Sequence, residues 1–402
     1  MSYGHHLLRR AVHTRLGALR EGRLSLSEPD GTLHFGPGGS PAARITVHDP
    51  RFYRALALGG TVGGAEAYAA GWWTTDDLPG VVRVMVRNRD VLERLDGGWS
   101  RLAVPARAVV HALRRNTRRG SRRNIAAHYD LGNEFFSLFL DETLTYSCGV
   151  FERPEATLRD ASIAKYDRLC RKLQLGPSHH LVEIGTGWGG FAVHAAGTYG
   201  CRVTTTTISP AQFAYATRRV ADAGLNDRIT VVQRDYRDLT GRFDKLVSIE
   251  MIEAVGYRYY DAFFRKCADL LAPDGVMALQ AITILDRLYD RARRHVDFIK
   301  RYIFPGSCLP SLAALGTAMA RASDLRLINL EDITPHYAET LKRWRENFVA
   351  AWDKVGALGF PDSFRRIWEF YLAYCEGGYR EGVLGDVQLL LAKPRYRIQP
   401  AD

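Results

Sequence analysis

Apolar runs of strand length alternate with amphipathic stretches of helix length through the middle of the chain. This alternation of periods is typical of a sheet whose strands are joined by helices. The predicted strands lie at 181–184, 202–207, 229–233, 244–249, 275–282 and 387–392, and the predicted helices at 189–198, 210–223 and 258–271. We therefore predict an α/β fold built on a doubly wound, mostly parallel sheet with helices on both faces.

The segments outside this pattern predict two additions to the sheet. Short alternating strands are predicted at 23–27, 32–35 and 44–48, with an amphipathic helix at 78–95. We expect a small α+β domain at 1–110, a linker at 111–123 and the sheet domain at 124–402. The block at about 286–380 is mainly helical in pattern and too long for a loop, so we expect a helical cover over the ligand face of the sheet.

A glycine-rich turn follows the first strand of the predicted sheet. Residues 181–190 spell L-V-E-I-G-T-G-W-G-G, with glycines at 185 and 187 that would let a nucleotide approach the backbone. Glu183 gives E-x-G-x-G, and the second strand ends without the acid that holds a ribose in NAD sites. The pattern favours a methyl-donor nucleotide over NAD. A strand-to-helix turn without any ligand is the alternative.

The positive charge of the chain is concentrated near its beginning. Of the net charge of +11, residues 1–123 carry +10, from 20 arginines against 10 acidic residues. Six of these arginines lie at 114–123. The cluster indicates either a solvated linker or a patch for anionic lipid headgroups or nucleic acid.

Other features of the composition indicate a reduced, cytoplasmic protein. No apolar run is long enough for a membrane span, and the first residues lack the apolar core and cleavage site of an export signal. The cysteines are scattered, with no spacing typical of a metal site, so we expect no metal. They lie at positions 148, 170, 201, 267, 308 and 375.

Several separate motifs between about residues 60 and 395 resemble the cyclopropane fatty acid synthase family, which includes the mycolic acid cyclopropane synthases. The motifs are G-W-W (71–73), A-A-H-Y-D-L-G-N-E-F-F-S-L-F-L-D (126–141), T-Y-S-C (145–148), the glycine turn, T-I-S-P-A-Q (207–212), D-Y-R-D-L (235–239), S-I-E-M-I-E-A-V-G-Y (248–257) and H-Y-A-E-T-L-K-R-W (336–344). The resemblance implies the class I methyltransferase fold that uses S-adenosylmethionine (SAM). It also implies an enzyme that adds a one-carbon unit across the double bond of an unsaturated phospholipid acyl chain and forms a cyclopropane.

The chemistry of such a reaction makes three demands on the site. An alkene is a weak nucleophile, so it needs a strong electrophile such as the SAM sulfonium, and its attack leaves a carbocation. The site must then supply an apolar environment for the chain, aromatic faces near the cation and a base that removes one proton.

The resemblance also implies the residues that perform this chemistry. The base is a bound bicarbonate, held by the backbone of Cys148 and by Glu253, Ile282 and Tyr337. Gln280 stands where better-known members have histidine, since this chain has Q-A-I for H-T-I. Glutamine donates a hydrogen bond but carries no proton charge, which puts a proton relay there in doubt. His128 is a candidate for either a catalytic or a core histidine. The SAM-binding positions implied are Tyr146, Ser147, Gly185, Gly187, Thr207, Ile208, Gln212, Asp235 and Tyr236.

Three other functions stay open from the sequence. The cation could shift a hydride and lose the proton to leave a methylene branch, and the stretches 280–283 and 335–346 look more like actinobacterial members linked to methyl-branched fatty acids. The arginine cluster suggests a nucleic-acid methyltransferase, although the site has no [D/N/S]-P-P-[Y/F] element, so we expect no nucleic-acid partner. A non-catalytic lipid- or SAM-binding partner is the third.

The expected partners follow from the lipid assignment. We expect an unsaturated phospholipid acyl chain as substrate and peripheral attachment to the anionic inner face of the cell membrane through the arginine-rich N-terminal third. The sequence is also compatible with a homodimer.

Overall fold

The computed structural model describes residues 3–90, 92 and 131–397. The chain forms two compact units. The first comprises 1–113, 294–305 and 341–384, and the second comprises 114–293, 306–340 and 385–402. The arginine cluster at 114–123 and His128 lie outside the described residues.

The elements of the described residues are numbered in chain order. The strands are β1 (Gly22–Glu28), β2 (Gly31–Gly38), β3 (Ala42–Val47), β4 (Trp73–Thr74), β5 (His180–Ile184), β6 (Arg202–Thr207), β7 (Ile229–Gln233), β8 (Phe243–Ile249), β9 (Leu271–Ile284), β10 (Arg326–Asp332) and β11 (Leu384–Ala392). The helices are α1 (Tyr3–Leu16), α2 (Arg51–Ala69), α3 (Leu78–Arg87), α4 (Asn133–Ser137), α5 (Leu158–Lys172), α6 (Gly190–Tyr199), α7 (Pro210–Asp222), α8 (Ile252–Val255), α9 (Tyr260–Leu270), α10 (Asp286–Ala292), α11 (Leu312–Ala322), α12 (Thr334–Ala350), α13 (Trp352–Ala357) and α14 (Asp362–Arg380).

The second unit is built on a seven-stranded sheet in the order β10-β11-β9-β8-β5-β6-β7. Strands β5 to β9 pair in parallel, whereas β10 pairs antiparallel with β11. The strand order reverses between β5 and β8, so the loops that follow these two strands lead away to opposite sides. A crevice forms outside the carboxyl ends of the strands at such a switch point, which is where doubly wound sheets bind ligands.

Apolar side chains on both faces of this sheet form two cores. Leu181 of β5 packs in a cluster with helices α5 and α6, while its neighbours Val182 and Ile184 pack in a cluster with α9 and α11. Because both faces are covered, most residues of β5, β6 and β8 are buried, as expected for parallel strands. Helix starts are fixed locally, for example by the reciprocal hydrogen bonds between Thr157 and Asp160 at the start of α5.

The first unit contains a four-stranded sheet in the order β2-β1-β3-β4 together with α1 to α3. Helix α14 packs against α2 and α3 within this unit. The described helices contain no segment that is both long and apolar enough to cross a membrane.

The structure confirms the predicted fold class and corrects several details. Strand β10 lies in the block that the sequence predicted to be mainly helical, and α1 and α2 were not predicted. Residues 294–305 and 341–384 of that block group with the N-terminal residues, whereas the prediction assigned all of 286–380 to the sheet domain. The apolar face of α14 matches α2 and α3, and sequence spacing alone does not identify such a distant partner.

Candidate active site

The glycine turn after β5 leaves open space beside its backbone. Gly185 and Gly187 have φ angles of 107° and 52°, in the region that favours glycine. The N–H groups of Gly185 and Thr186 both donate to the Thr206 carbonyl, each at 3.1 Å, which fixes the turn against β6. A Cβ atom added at Gly187 would meet no atom within 4 Å. The turn therefore has room for a ligand against its backbone, as the sequence predicted.

Polar groups predicted to bind the cofactor lie around this turn. The Thr207 hydroxyl donates to the side-chain oxygen of Gln212 at 2.9 Å, and Ile208 is half-buried between them. Asp235 forms an ion pair with Arg237 at 2.7 Å. The Tyr236 hydroxyl is buried with no hydrogen-bond partner among the described residues. A buried hydroxyl in this state is costly, which fits a ligand that would accept or donate there.

Glu183, the buried acid that precedes the turn, contacts the neighbouring strand β6. Glu183 accepts a hydrogen bond from the Thr205 hydroxyl at 2.6 Å. Burial raises the pKa of Glu183 to about 8. Its contact is therefore with the sheet, so the E-x-G-x-G pattern reflects a structural carboxyl group at this position.

An aromatic cluster lies next to the glycine turn. The ring of Trp188 is 5.0 Å from that of Phe136, which in turn is 5.3 Å from Tyr146. Phe139 completes the cluster at 6.2 Å from Tyr146. Aromatic faces of this kind attract cations through their electron-rich rings.

The segment after Tyr146 is tied to a buried lysine. Lys165 of α5 is fully buried, and its Nζ donates to the Ser147 hydroxyl at 2.6 Å. Burial lowers the pKa of Lys165, while Glu250 and other nearby acids oppose that change. Cys148 is also fully buried, and burial raises the pKa of its thiol well above the ordinary value. The raised pKa disfavours the thiolate, which is the nucleophilic form of a cysteine.

The backbone and side-chain donors predicted to hold bicarbonate converge on Glu250. The Cys148 N–H and the Gln280 Nε2 both donate to Glu250 Oε1 at 2.8 Å, and the Tyr337 hydroxyl lies 2.6 Å from Oε2. Glu250 directly follows β8 and has a φ angle of 47°. A non-glycine residue in this region costs about 1–3 kcal/mol, so the surrounding contacts must hold it there.

Glu253 lies three residues further on and has different partners. Its Oε1 accepts a hydrogen bond from the Ile282 N–H at 2.6 Å, whereas its Oε2 is buried with no partner among the described residues. Burial, and secondarily the charge of Glu250, raises the pKa of Glu253 to about 8. The raised pKa favours the neutral form of Glu253 over the charged carboxylate.

A third acid, Asp386 of β11, completes the cluster. Gln280 Nε2 donates to Asp386 Oδ2 at 3.0 Å as well as to Glu250, and Gln280 Oε1 accepts from Gln388 at 3.1 Å. Burial raises the pKa of Asp386 well above its ordinary value, and the neighbouring Glu250 and Glu253 reinforce the rise. A neighbouring carboxylate raises the pKa in this way because two like charges at short distance are unfavourable.

These contacts decide whether bicarbonate fits the residues present. Cys148, Gln280 and Tyr337 would bind it, but their donors already contact the Glu250 carboxyl group. An added anion would have to displace Glu250 or lie against like charge, which is unfavourable in a buried site. The residues therefore do not fit bicarbonate, and we assign it no step.

Comparison with known proteins gives the same family as the motifs. The family model described as mycolic acid cyclopropane synthetase matches residues 116–389. The chain belongs to this family.

Two relatives match most of the chain, and one solved structure matches about two thirds of it. Tuberculostearic acid methyltransferase of Mycobacterium tuberculosis is 38% identical over 378 residues, which cover 92% of this chain and 88% of that protein. Cyclopropane-fatty-acyl-phospholipid synthase of Escherichia coli K12 is 34% identical, with 87% of each chain covered. The solved structure of mycolic acid cyclopropane synthase CmaA1 with SAH and CTAB is 34% identical, with a TM-score of 0.64 over 68% of this chain and 98% of that one. The chain is thus a SAM-dependent methyltransferase of a family that acts on lipid acyl chains.

Sequence reasoning identified much of this site but missed its centre. It brought together Cys148, Gln280 and Tyr337, but Lys165, Glu250, Asp386 and Gln388 were not among the predicted residues. The signal for Glu250 was present, because S-I-E-M-I-E places two acids three residues apart directly after a buried strand. Asp386 and Gln388 share one face of an otherwise apolar strand, which is unusual in a sheet covered on both sides.

Proposed function

We propose that this chain transfers a one-carbon unit from SAM to the carbon–carbon double bond of an unsaturated fatty acyl chain in a phospholipid. One observation carries the proposal. The buried carboxyl cluster lies beside the glycine turn, because Met251, which follows Glu250, is the residue that a Cβ at Gly185 would meet, at 3.4 Å. A methyl donor on the turn would thus lie beside the segment that carries Glu250 and Glu253.

The residues around the turn suit SAM as the methyl donor. Gly187 leaves space against the backbone, Thr207 and Gln212 supply polar contacts, and the Tyr236 hydroxyl needs a partner. Bound there, SAM supplies an electrophilic methyl group on a positively charged sulfur. The alkene pair forms the new C–C bond, and the C–S bond breaks with its pair on sulfur.

The cation left on the chain then needs stabilisation and the loss of one proton. The faces of Phe136, Tyr146 and Trp188 interact with a cation at about 0.5–2 kcal/mol each. A carboxyl group in this buried site interacts with the cation more strongly than it would in water.

For the product, we propose a methylene-branched chain in first place. The sequence motifs alone predicted a cyclopropane as the product, which is also the product named for the E. coli relative. The relative named as a methyltransferase, of tuberculostearic acid, shares 38% identity over 92% of this chain, against 34% over 87% for the relative named as a cyclopropane synthase. The stretches 280–283 and 335–346 point in the same direction. Cyclopropane formation is the second candidate.

We also propose that the enzyme works at the anionic inner face of the cell membrane, with the arginines at 114–123 as its contact. The phospholipid substrate supports this location, since a peripheral enzyme reaches its acyl chains only at the bilayer surface. Lysine and arginine near an anionic surface contribute about 1 kcal/mol each.

Product analysis tests the proposed function. The purified chain is incubated with SAM and vesicles of dioleoyl phosphatidylglycerol, and the released fatty acids are analysed by mass spectrometry before and after ozonolysis. We expect acyl chains that are heavier by one methylene group and are cleaved by ozone at the new branch. Ozone-resistant chains of the same mass would establish the cyclopropane instead, and unchanged chains with SAM bound would contradict acyl methylation.

A further inference from the structure

We infer that the side chain of Glu250 is itself the base that removes the proton, in the place that a bound bicarbonate would otherwise take. The inference rests on the proposed function, because it names the group that performs the last step of that reaction. The donors expected to bind bicarbonate instead contact the carboxyl group of Glu250.

The first argument is the geometry of the Glu250 carboxyl group. It contacts two N–H donors and one hydroxyl, from Cys148, Gln280 and Tyr337, at 2.6–2.8 Å. A carboxylate accepts all three, whereas a protonated acid would need one oxygen to act as donor. The same three donors form a site for a planar oxyanion, and the chain fills it with its own carboxylate.

The second argument is the backbone at Glu250. Its φ of 47° lies in the left-handed region, which glycine adopts without strain and glutamate does not. No backbone requirement explains glutamate here, so its side chain is the reason for its presence. Strained residues of this kind cluster at active sites, where the surrounding contacts hold them in place.

The third argument is the charge of the groups that face Glu250. They are Lys165 from α5, Glu253 from α8, Tyr337 from α12 and Asp386 from β11, with Cys148 and Gln280 as neutral donors. Burial raises the pKa values of Glu253 and Asp386. Burial raises the pKa of Glu250 as well, whereas Lys165 and the three donors lower it. Glu250 is thus the acid of the cluster whose oxygens are held by three donors, and a carboxylate with a raised pKa is a stronger base than one in water.

The step balances with this residue alone. Glu250 takes a proton from the methyl group that has been added to the chain. The C–H electron pair becomes the third ring bond, or, after a hydride shift, the second bond of the methylene branch. Glu250 becomes a neutral acid and returns its proton to solvent before the next turnover.

Two variants distinguish a base at Glu250 from a purely structural role of its side chain. Glu250→Gln keeps the shape and removes the base, so methyl transfer to dioleoyl phosphatidylglycerol should fall by about a hundredfold or more, with SAM affinity unchanged. Glu250→Gly relaxes the backbone and empties the anion site, so its lost activity should rise about tenfold or more when bicarbonate or formate is added. The parent should be equally active with and without bicarbonate. Glu152→Gln, at exposed ion pairs with Arg168 and Arg171, is the matched control and should match the parent.

A binding measurement tests the inference without turnover. In Glu250→Gly, bicarbonate should raise the thermal unfolding midpoint by about 2–4 °C, whereas the parent should not respond. A parent that binds bicarbonate or needs it for activity would overturn the inference, as would a Glu250→Gln protein with full activity. If the parent transfers no methyl group to any unsaturated phospholipid, the proposed function fails, and the anion-binding result still decides whether Glu250 fills the anion site.

Discussion

Substitution of Gly187 by valine tests the cofactor site with a matched control elsewhere in the same unit. A Cβ at Gly187 meets no protein atom within 4 Å, so the valine side chain would project into the space assigned to SAM without disturbing the protein around it. Gly224, in the loop after α7, has a similar φ angle of 67° and equally open surroundings. Both substitutions introduce the same backbone strain, but only the valine at position 187 would occupy the space assigned to SAM.

The expected magnitudes follow from these surroundings. Both variants place a branched residue at positive φ, which should cost each of them about 1–3 kcal/mol of stability. Only Gly187→Val also forces an overpacked contact on the ligand, at about 1–3 kcal/mol, which corresponds to an affinity about 5- to 150-fold weaker. Because the turn is fixed by two hydrogen bonds to Thr206, we expect the upper end of this range.

Titration calorimetry with SAM on both folded variants provides the measurement. Gly224→Val should bind SAM like the parent, and Gly187→Val should bind it at least tenfold more weakly. Parental affinity in Gly187→Val would show that the turn is not the cofactor site. An equal loss in both variants would mean that strain, and not obstruction of the site, weakens binding.

Three further predictions concern the acids, the tyrosine and the arginines. The pKa of Glu253 is raised from 4.5 to about 8 in the folded protein, so folding takes up a proton between these values and stability falls as pH rises from about 4.5 to 8. Glu253→Gln should flatten this part of the thermal unfolding profile, and a profile that keeps the parental slope would contradict the assignment. Tyr337→Phe removes a hydrogen bond to Glu250, so kcat should fall about tenfold or more at unchanged SAM affinity, and a parental kcat would argue against a positioning role. Neutralising four of the six arginines at 114–123 should weaken sedimentation with anionic vesicles about a thousandfold, at about 1 kcal/mol each, while an unchanged result or retention on RNA would refute membrane attachment.

The alternation of apolar runs and amphipathic stretches was sufficient to predict the sheet of the second unit. Predicted strands at 202–207 and 229–233 match β6 and β7 to the residue, because both segments are rich in the β-branched residues valine, isoleucine and threonine, which favour strands. Strand β10 was missed because its alternation is weak and most of its residues are exposed or half-buried at the edge of the sheet. The grouping of 341–384 with the N-terminal residues depends on long-range packing, which local periodicity does not contain.

The candidate site shows a similar division. Gly185 and Gly187 were identified because backbone conformation imposes a residue type that is visible in the sequence. Glu250 was missed because Glu253, in the same motif, matched the expected role, and only the structure shows which acid the donors contact. The state of each carboxyl group depends on burial and on neighbours from distant strands, such as Asp386.

SAM with a labelled methyl group tests whether the enzyme transfers this group to the acyl chain and whether Glu250 then removes one of its protons. The parent enzyme is incubated with SAM carrying a trideuterated methyl group and with dioleoyl phosphatidylglycerol, and the mass of the modified acyl chains is measured. Each chain should gain the labelled carbon with two of its three deuterium atoms, and Glu250→Gln should yield at most a small fraction of this product. Chains that retain all three deuterium atoms, or a Glu250→Gln protein that forms the same product at the parental rate, would contradict this prediction.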